Sequence, residues 1–446
     1  MRYEKYKETD QLWMSFIPQH WNYWRAKRLF DSPKVKNIDN KEDNVLSLTL
    51  RGVIRNSKDN PIGLSPSDYA TYQIFEKNDL VFKLIDLENI STSRVGIVTE
   101  HGIMSSAYIR FTARENINIR YFYYQYHDWW LRQIFNGLGA GVRQTLSAQD
   151  LLNLKLAVPP REEQDQIVRY LDWKVSAINK LIHGYQKQIK LLEEKKRSFT
   201  FNAATKGLDV NAAKRVSDIY WLNDIPAHWT TKSVAQLFTE VKCKNIGMVE
   251  KNLLSLSYGH IKKRNIDATE GLLPDNFEGY NIIEKDDIVL RLTDLQNDHR
   301  SLRTGISKER GIITSAYVTI RNKSNNNPEY LQLYMHSFDL AKGFYNVGAS
   351  GVRQSLNWDA IKSLKVLVPP IEEQIEIVKA IKNEYENTQL AINSTQKEIN
   401  LLQEYRTRLI SDVVTGQIDV RNVTIPEYEV ETAEIESNDE EGDLDE

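Results

Sequence analysis

The feature that most constrains this chain is an internal repeat with a period of about 210 residues. The motif I-P-x-H-W occurs at residues 17–21 and again at 225–229. The motif V-P-P-x-E-E-Q occurs at 158–164 and again at 368–374. Further matching segments follow the same order in both copies: N-x-L-S-L at 44–48 and 252–256, D-[LI]-V at 79–81 and 287–289, S-A-Y at 106–108 and 315–317, and V-R-Q at 142–144 and 352–354. One fold is therefore expected twice in this chain.

A heptad-patterned segment follows each V-P-P-x-E-E-Q motif. In the first copy, apolar or aromatic residues recur with the spacing of a coiled-coil seam. They are Val168, Leu171, Val175, Ile178, Ile182, Tyr185, Ile189, Leu192 and Phe199. The second copy has the same register, with Val378, Ile381, Tyr385, Thr388, Ile392, Thr395, Ile399, Leu402 and Leu409. The two threonines weaken the second seam without shifting it.

Each heptad segment is predicted to form one long helix. The Pro-Pro pair suits a helix start, and the acids at 162–163 and 372–373 are favoured near the positive end of a helix dipole. A helix over 161–204 or 371–413 would be about 65 Å long at ~1.5 Å per residue. Antiparallel pairing of the two helices is expected, because it places the two globular blocks at opposite ends, related by a pseudo-two-fold axis.

Each globular block combines short β-type runs with one aromatic segment. Runs such as 44–50, 79–84 and 104–111 are separated by Gly, Asn, Asp and Pro. The aromatic segments Tyr121–Phe135 and Tyr330–Phe344 are predicted to be helical, and a glycine loop follows each one. The predicted fold class is α+β, with two pseudo-repeated blocks separated by two long helices that form an antiparallel coiled coil. The predicted boundaries are 1–158 and 218–368 for the blocks, 159–204 and 369–415 for the helices, 205–217 for a linker, and 416–446 for a C-terminal segment.

The composition is that of a soluble globular protein, with a mean hydropathy of −0.51 and 27% charged residues. A chain of 446 residues allows two to four domains. No apolar run reaches transmembrane length, and residues 1–10 are too polar for a signal peptide. Cys243 is the single cysteine, which excludes an internal disulfide and suits a reducing cytoplasm.

The net charge of −3 hides an uneven distribution of charge. Residues 427–446, the acidic tail, contain eleven Asp or Glu and no Lys or Arg. The other residues contain 58 basic and 50 acidic side chains, a net charge of +8. The tail is predicted to be disordered, because it is dense in like charge and poor in aromatics. The modestly basic remainder is compatible with a nucleic-acid partner.

Signatures of catalysis are missing from the sequence. It contains no G-x-x-x-x-G-K-[ST] phosphate loop, no dinucleotide-binding G-x-G-x-x-G, and neither the D-P-P-Y nor the N-P-P-F tetrapeptide of adenine methyltransferases. Its histidines and Cys243 have no zinc-binding spacing. His20 and His228 could share a role, but a packed or capping histidine beside a tryptophan is the favoured interpretation. The chain is therefore predicted to be non-catalytic.

Several cations recur at matching positions. Arg143-Gln144 and Arg353-Gln354 follow the glycine loops, where their several donors suit phosphate or base contacts. The alternative is a buried arginine that satisfies loop carbonyl groups. Lys83 and Arg291 end matching β-type runs, each followed by an aspartate. A solvated surface is the alternative to DNA contact there.

The combination of motifs resembles the specificity subunit of type I restriction–modification systems. The resemblance is carried by V-P-P-x-E-E-Q before each long helix, by the I-P-x-H-W openings, and by Asp294–Asp298 running on to Gly311–Tyr317. It covers residues 1 to about 420. The first copy departs from the family pattern at 10–16, and Glu88 and 90–93 replace the charged stretch around 298–300.

The resemblance implies two target-recognition domains, each reading half of a split DNA sequence. The paired helices would act as a spacer and hold two methyltransferase subunits, which bring S-adenosylmethionine and methylate adenine. Restriction subunits would add ATP- and magnesium-dependent translocation and cleavage. The chain itself is expected to bind no cofactor, no metal and no membrane. Its DNA-contact residues are predicted to be Arg143, Gln144, Arg353, Gln354, Lys83, Arg291, Arg51, Arg55, His260, Lys262, Lys263, Gln296, Asn297, Tyr108 and Tyr317.

The two copies differ most in two places. In the alignment of the two copies, Leu50–Arg55 corresponds to Tyr258–Lys263, and Leu87–Arg94 corresponds to Leu295–Arg303. Such divergence is expected of loops that read different bases. Surface loops that diverge without any function would show the same pattern. Two rival interpretations stay open: a scaffold with two lectin-like or peptide-binding heads and no DNA partner, or a self-contained restriction–modification enzyme. The ordered recurrence of V-R-Q and V-P-P-x-E-E-Q favours the DNA-reading subunit.

Overall fold

The chain folds as two compact units, each containing one copy of the repeat. The computed structural model describes residues 2–58, 61, 66, 68–87, 93–114, 116–139, 145–266, 274, 276–295, 302–347 and 355–429. Unit 1 consists of residues 1–186 and 396–437, and unit 2 contains 187–395. Each unit therefore holds one globular block, the first half of one long helix and the second half of the other.

The elements of the first block and its helix follow the predicted order. They are β1 (Tyr6–Glu8), β2 (Phe16–Pro18), β3 (Asn22–Arg25), β4 (Phe30–Asp31), β5 (Leu46–Thr49), β6 (Gly52–Arg55), β7 (Gln73–Phe75), β8 (Leu80–Phe82), β9 (Val95–Ile97), β10 (Gly102–Met104), β11 (Ile109–Ala113), α1 (Ile119–Leu131), α2 (Ile134–Leu138), α3 (Ala148–Asn153), β12 (Lys155–Val158) and α4 (Arg161–Lys206). Single 3-10 turns occupy Leu12–Met14, Ala26–Arg28, Ile38–Asn40 and Tyr69–Thr71.

The second copy repeats this order. Its elements are β13 (Lys214–Val216), β14 (Asp224–Pro226), β15 (Thr230–Ser233), α5 (Val234–Leu237), β16 (Phe238–Glu240), β17 (Leu254–Ser257), β18 (His260–Lys263), β19 (Asn281–Ile283), β20 (Ile288–Leu290), β21 (Thr304–Ile306), β22 (Gly311–Ile313), β23 (Val318–Asn322), α6 (Pro328–Leu340), α7 (Gly343–Val347), α8 (Trp358–Ile361), β24 (Lys365–Val368) and α9 (Ile371–Val414). A 3-10 turn lies at Ile246–Met248.

An antiparallel four-stranded sheet forms the centre of each block. Its strand order is β4-β11-β8-β9 in the first block and β16-β23-β20-β21 in the second. The apolar strands β8 and β20 are buried on both faces. Small two-stranded sheets surround each centre, among them the hairpins β5–β6 and β17–β18. The predicted α+β class with two repeated blocks is confirmed.

The aromatic segment of each block forms two helices where a single one was predicted. Gln133 separates α1 from α2 with φ 55°, and Lys342 separates α6 from α7 with φ 58°. A left-handed residue ends an α-helix, because it turns the backbone out of the hydrogen-bonding ladder. The predicted span Tyr121–Phe135 is therefore corrected to a helix, a left-handed turn and a second short helix.

The two long helices have nearly the predicted bounds. Helix α4 contains 46 residues and α9 contains 44. Both begin directly after the Pro-Pro pair, so the prolines precede the helix and cost it no hydrogen bond. Helix α4 extends to Lys206, which takes two residues from the predicted linker 205–217, and β13 takes three more.

Within each unit the two helices run antiparallel. In unit 1 the Tyr121 hydroxyl donates to the carbonyls of Ala157, 3.2 Å away, and Val414, 3.1 Å away. The end of α9 therefore lies beside the start of α4. In unit 2 the Tyr330 hydroxyl donates in the same way to Leu367, at 3.3 Å, and Ala204, at 3.2 Å. Because the same tyrosine joins opposite helix ends in both units, the predicted antiparallel pairing is confirmed.

The residues of the predicted seam are buried or half-buried. The buried ones are Val168, Leu171, Ile178, Ile182, Val378, Ile381, Ile399 and Leu409, and the half-buried ones are Val175, Tyr185, Ile189, Leu192, Phe199, Tyr385, Ile392 and Leu402. Thr388 and Thr395 are 4% and 7% exposed, so the seam keeps its register across both polar positions. Leu181, which lies outside the pattern, is 54% exposed.

A glycine closes the end of each long helix against a block. Gly416 has φ 72°, and a Cβ there would lie 2.4 Å from Pro18 Cδ and 3.1 Å from the Trp21 ring. Gly207 has φ 77° and would meet the Trp229 ring at 3.2 Å. Both positions need the left-handed backbone and the small volume that only glycine supplies.

An ion pair joins each block to the helix that follows it, with opposite polarity in the two copies. Arg120 on α1 pairs with Asp172 on α4, with Nε and Oδ1 2.7 Å apart. Glu329 on α6 pairs with Lys382 on α9, with Oε1 and Nζ 2.7 Å apart. The same geometry is therefore built with the charges exchanged.

Candidate nucleic-acid interface

The I-P-x-H-W and V-P-P-x-E-E-Q motifs form a single contact in each unit. His20 Nε2 lies 2.8 Å from Glu163 Oε2, and Trp21 Nε1 donates to Glu163 Oε1 over 2.9 Å. The Tyr3 hydroxyl donates to the same carboxylate. In unit 2, His228 Nε2 lies 2.8 Å from Glu373 Oε2, and Trp229 donates to that carboxylate over 3.0 Å. These motifs hold a block to its helix, and the histidine side chains, which are 41% and 50% exposed, contact the glutamate from the solvent side.

The glutamine that ends V-P-P-x-E-E-Q fixes a second junction. Gln164 Oε1 accepts from the Asn118 backbone N–H over 3.0 Å, and its Nε2 donates to the Pro159 carbonyl over 2.9 Å. Gln374 makes the equivalent bonds to Asn327 and Pro369, each 2.8 Å long. The start of the long helix is thus tied to the start of α1 or α6, which fixes the orientation of each block on its helix.

The D-[LI]-V motif is also structural. Asp79 is buried and accepts from Arg110 Nε over 2.6 Å and from Thr112 Oγ1 over 2.8 Å. Asp287 accepts from Arg321 Nε and Nη2, both over 2.7 Å. The acid thus anchors the central sheet with a charge-assisted bond in both copies.

Lys83 and Arg291 lie at the base of a tight loop after β8 and β20. Asp86 and Asp294 in these loops have φ 53° and 55°, so each loop turns through the left-handed region. Burial lowers the pKa of Lys83, and the neighbouring Arg94 lowers that pKa further. An ammonium group already partly desolvated is suited to an anionic partner such as a phosphate.

A buried arginine organises each loop, and sequence reasoning did not single it out. Arg94 is 3% exposed and donates to the carbonyls of Ile85, 3.0 Å away, and Asp86, 2.7 Å away. Arg303 is fully buried and donates to the Thr293 carbonyl over 2.8 Å. Its signal is R-x-G-I, which recurs at 94–97 and 303–306.

Both ends of the adjoining variable loops are held in place. Leu87 is buried, and its carbonyl accepts from Asn136 Nδ2 on α2 over 2.7 Å. Leu295 is fully buried, and Asp339 on α6 accepts from the Arg303 backbone N–H over 2.7 Å. The predicted contacts Gln296 and Asn297 lie outside the described residues.

The residues just after each V-R-Q motif contact the base of the same loop. Arg143, Gln144, Arg353 and Gln354 themselves lie outside the described residues. The leucine that follows each motif is described, and it pairs with the loop base. Leu146 N donates to the Leu84 carbonyl over 3.0 Å, and Leu356 N donates to the Leu292 carbonyl over 2.8 Å. Leu146 therefore lies beside the loop base that contains Lys83, and Leu356 lies beside the one that contains Arg291.

The hairpin tips point cations outward. In unit 2 the tip lies next to the loop, because a Cβ at Gly259 would be 3.2 Å from Leu302 Cβ. Arg51 and Lys262 are exposed. Arg55 is paired with Glu100 at 2.5 Å, and Lys263 with Glu309 at 2.8 Å.

Three further predicted residues are His260, Tyr108 and Tyr317, of which the two tyrosines are partly buried. Burial lowers the pKa of His260, and the nearby Lys262 lowers it further. Tyr108 and Tyr317 pack against the small apolar clusters beneath the hairpins. Burial raises the pKa of Tyr108. The structure thus gives both tyrosines a packing role, while their contact with DNA stays a prediction.

In each unit the hairpin packs against the strand that follows the variable loop, because a Cβ at Gly96 would lie 3.1 Å from Val53 Cγ2 and a Cβ at Gly305 would lie 3.3 Å from Ile261 Cδ1. No group of three or more His, Cys, Asp or Glu side chains that could hold a metal ion occurs among the residues described above. No helix within the described ranges is long and apolar enough to cross a membrane.

A family model matches the chain over both copies. The model of the type I restriction modification DNA specificity domain covers residues 20–191 and 251–401, which is more than half of the 446 residues. The chain belongs to this family. Each match begins within a block and ends within the long helix that follows it, so one specificity domain consists of a block together with its helix.

Two relatives in Methanocaldococcus jannaschii resemble this specificity-domain chain over part of its length. One, assigned as the specificity subunit of the type I restriction enzyme MjaX, is 23% identical over 290 residues. The other, the specificity subunit of the type I restriction enzyme MjaVIII, is 23% identical over 282 residues. The matches cover 63% and 61% of this chain and 63% and 64% of the relatives, so the chain spans slightly less than two thirds of their length.

A solved structure shares the fold. It comes from work on complex assembly and conformational transition of the type I R-M system, and it superposes with a TM-score of 0.60 at 11% identity. The match covers 90% of this chain and 99% of the solved chain.

Proposed function

We propose that this chain is the DNA specificity subunit of a type I restriction–modification complex. One observation carries the proposal: the same frame of sheet, hairpin and buried loop-base arginine is built twice, and the sequences of the two copies differ most in the hairpin and in the segments 87–94 and 295–303. A shared frame supplies one docking mode, and different edge residues supply different base contacts. Each unit would then read one half of a bipartite, asymmetric DNA site.

The chemistry of the predicted contact residues suits this role. Lys83, Arg291, Arg51 and Lys262 offer cations for phosphate contact, which positions a protein on DNA without reading sequence. Arg143, Gln144, Arg353 and Gln354 would add bidentate donors, which can read base edges.

The long helices would hold the other subunits. Two methyltransferase subunits are the expected partners, with S-adenosylmethionine bound to them, and restriction subunits would use ATP and magnesium. The chain itself is proposed to act without catalysis, in the cytoplasm. Methylation of one adenine in each half-site would follow from the two-unit arrangement.

Two measurements test the function. Single-molecule sequencing of methylated bases in the host should reveal a two-part, non-palindromic motif with a non-specific spacer. The purified chain should bind this motif, yet it should neither bind S-adenosylmethionine nor methylate DNA. Methyl transfer by the chain alone would support a self-contained enzyme instead. Absence of DNA binding, alone and with the methyltransferase subunit, would support a scaffold.

A further inference from the structure

An open basic surface lies on unit 1 beside strand β3. It is a shallow cavity of about 540 Å³, lined by five basic and two aromatic side chains. Three of the basic residues, Arg25, Lys27 and Arg28, are exposed and fall within four positions of the sequence. They form no ion pair with any residue that the structure describes. These three residues, the basic patch, therefore repel one another without a pairing acid.

The other two basic side chains of the cavity engage the acids beside them. Asp10 accepts from Lys155 Nζ over 2.5 Å and from the Tyr23 hydroxyl over 2.8 Å. Asp31 pairs with Arg114. Because both acids are occupied in this way, the basic patch keeps its own charge for a partner.

Trp24 holds Arg28 in place. The Arg28 Cζ lies 3.7 Å from the centroid of the Trp24 ring. A guanidinium that stacks through its flat face keeps the N–H donors at its edge available for an acceptor. Asp150, on the helix α3 that packs against this turn, accepts from the Ser147 backbone N–H over 2.8 Å. Arg28 is therefore a preorganised donor for an anion from outside the block.

Unit 2 uses the same positions differently. Its residues at the positions of the basic patch are Ser233, Ala235 and Gln236. Ser233 and Gln236 form a capping box that starts α5. Residues 26–28 of unit 1 form only a 3-10 turn, and Arg25 supplies no side-chain cap. Unit 1 thus gives up a helix cap and places three like charges side by side, which is expected where the charges serve an anionic partner.

The basic patch and the variable hairpin lie at opposite edges of the central sheet of unit 1. The turn 26–28 is separated by a single residue from β4, one edge strand. Val53 of the hairpin packs near Gly96 of β9, the other edge strand. Because neighbouring strands are ~4.8 Å apart, the two edges are separated by about 14 Å. This distance corresponds to about four base pairs of duplex DNA at ~3.4 Å per base pair.

We propose that the basic patch is a phosphate-binding site for duplex DNA outside the bases that unit 1 reads. The proposal rests on the function proposed above. Contacts there are independent of sequence, because phosphates carry no sequence information. They occur at one half-site only, because unit 2 has no equivalent patch.

The surroundings of the patch favour DNA over an acidic protein. Among the described residues, no exposed large apolar side chain lines the cavity. Protein–DNA interfaces are more polar and more positively charged than protein–protein interfaces, whose cores are apolar. A row of exposed cations around a stacked arginine therefore fits a phosphate backbone better than a protein surface.

The test gives unit 1 the residues of unit 2 in the full chain, as Arg25→Ser/Lys27→Ala/Arg28→Gln. Binding to a target duplex and to a scrambled duplex is measured over a range of salt concentrations. Affinity for both should fall by roughly tenfold or more, and the salt slope should drop by about two to three. The ratio of the two affinities should stay unchanged.

The matched control removes three exposed lysines of unit 2, as Lys232→Ala/Lys251→Ala/Lys285→Ala. It changes the net charge equally, and its salt slope should change by less than one. Thermal melting verifies that both variants stay folded. Phosphate ethylation interference adds a map of the contacts. The patch variant should lose contacts at least about four base pairs from the bases read in the first half-site, and it should keep the contacts within both half-sites.

Three results would overturn the phosphate site. The patch variant could bind DNA as the control does, or it could show the interference map of the wild type. It could also bind DNA normally and lose the methyltransferase subunit, which would assign the patch to an acidic protein surface. A wild-type chain that binds no DNA, alone and with the methyltransferase subunit, would instead refute the function on which the proposal rests.

Discussion

One glutamate at the start of each long helix accepts several hydrogen bonds from its recognition block, so its removal should be costly. We expect Glu163→Ala to destabilise unit 1, because it leaves the Trp21 N–H and the Tyr3 hydroxyl buried without an acceptor. A buried unpaired donor costs about 1–3 kcal/mol. Calorimetric melting of the full chain measures the loss. His20→Ala is the control and should cost less, since the His20 side chain is 41% exposed. Equal losses would contradict this assignment.

A buried histidine should make stability depend on pH. Burial lowers the pKa of His336 to about 4 from its usual 6.5. The folded state therefore holds the neutral form, and its stability is full above pH 6.5 and is lost as the pH falls toward 4. His336→Gln should reduce the slope of melting temperature against pH in this window. The free energy of unfolding should lose at most about 1.4 kcal/mol per pH unit of its pH dependence. An unchanged slope would show that His336 does not titrate with unfolding.

The arginines of the V-R-Q motifs should weaken DNA binding when removed. If Arg143 contacts a phosphate, Arg143→Ala should lower affinity for every sequence and reduce the salt slope by about one. If it contacts a base, one position of the target should relax at a cost of ~1–3 kcal/mol. Arg353→Ala tests unit 2 in the same way. Unchanged DNA affinity with a lower melting temperature would assign these arginines to loop packing.

For single residues, the sequence showed which side chains recur in both copies, but not whether each one is buried, paired or exposed. The glutamate at the start of each long helix was predicted to interact with the helix dipole. The contact of Glu163 with Trp21 joins residues 142 positions apart in the sequence, so no local pattern predicts it. Arg94 and Arg303 recur in R-x-G-I, yet recurrence alone does not tell a buried clamp from a surface cation. Arg55 was predicted to contact DNA, and its pairing with Glu100 depends on a hairpin register that the sequence does not state.

At the element scale, the helix pair depends on its buried seam. Replacing Ile178 and Ile182 with Asp should disrupt the pairing, because these residues are 5% and 8% exposed and buried unpaired charge costs several kcal/mol. The helical circular-dichroism signal should melt at a lower temperature. Assembly with the methyltransferase subunit should be lost in the same variant. Leu181→Asp, on the same turn but 54% exposed, is the control and should do neither. A double variant that still assembles and methylates the same site would show the seam to be wrong.

The elements were predictable in proportion to their length. Helices α4 and α9 carry a long periodic pattern with proline and acidic starts, so their bounds were close to those predicted. The break between α1 and α2 depends on one residue with left-handed backbone, Gln133. Because this residue is not a glycine, the sequence does not predict the break. The β-hairpin tips were placed by repeat comparison, since divergence between matching segments marks exposed edges.

At the scale of the whole molecule, each unit should read its half-site independently. Replacing Leu50–Arg55 with the sequence of Tyr258–Lys263 should change the first half of the target and leave the second half unchanged, since the two hairpins belong to separate compact units. Sequencing of methylated adenines in a host carrying the variant measures both halves. The reciprocal replacement should change only the second half. A swap that altered both halves, or a continuous target, would refute separate reading.

The exchanged charges of the two ion pairs affect which recombinants of the two copies can fold. If recombination moved the first block onto the second helix, Arg120 would face Lys382, and the reverse exchange would set Glu329 against Asp172. Such pairs contribute little individually, but like charges in direct contact oppose the wrong join. A crossover within the segment 120–172 is therefore disfavoured, whereas one that carries a block together with its helix keeps this ion pair. Exchanges that carry a block and its helix as one cassette would therefore be the ones that keep the fold intact.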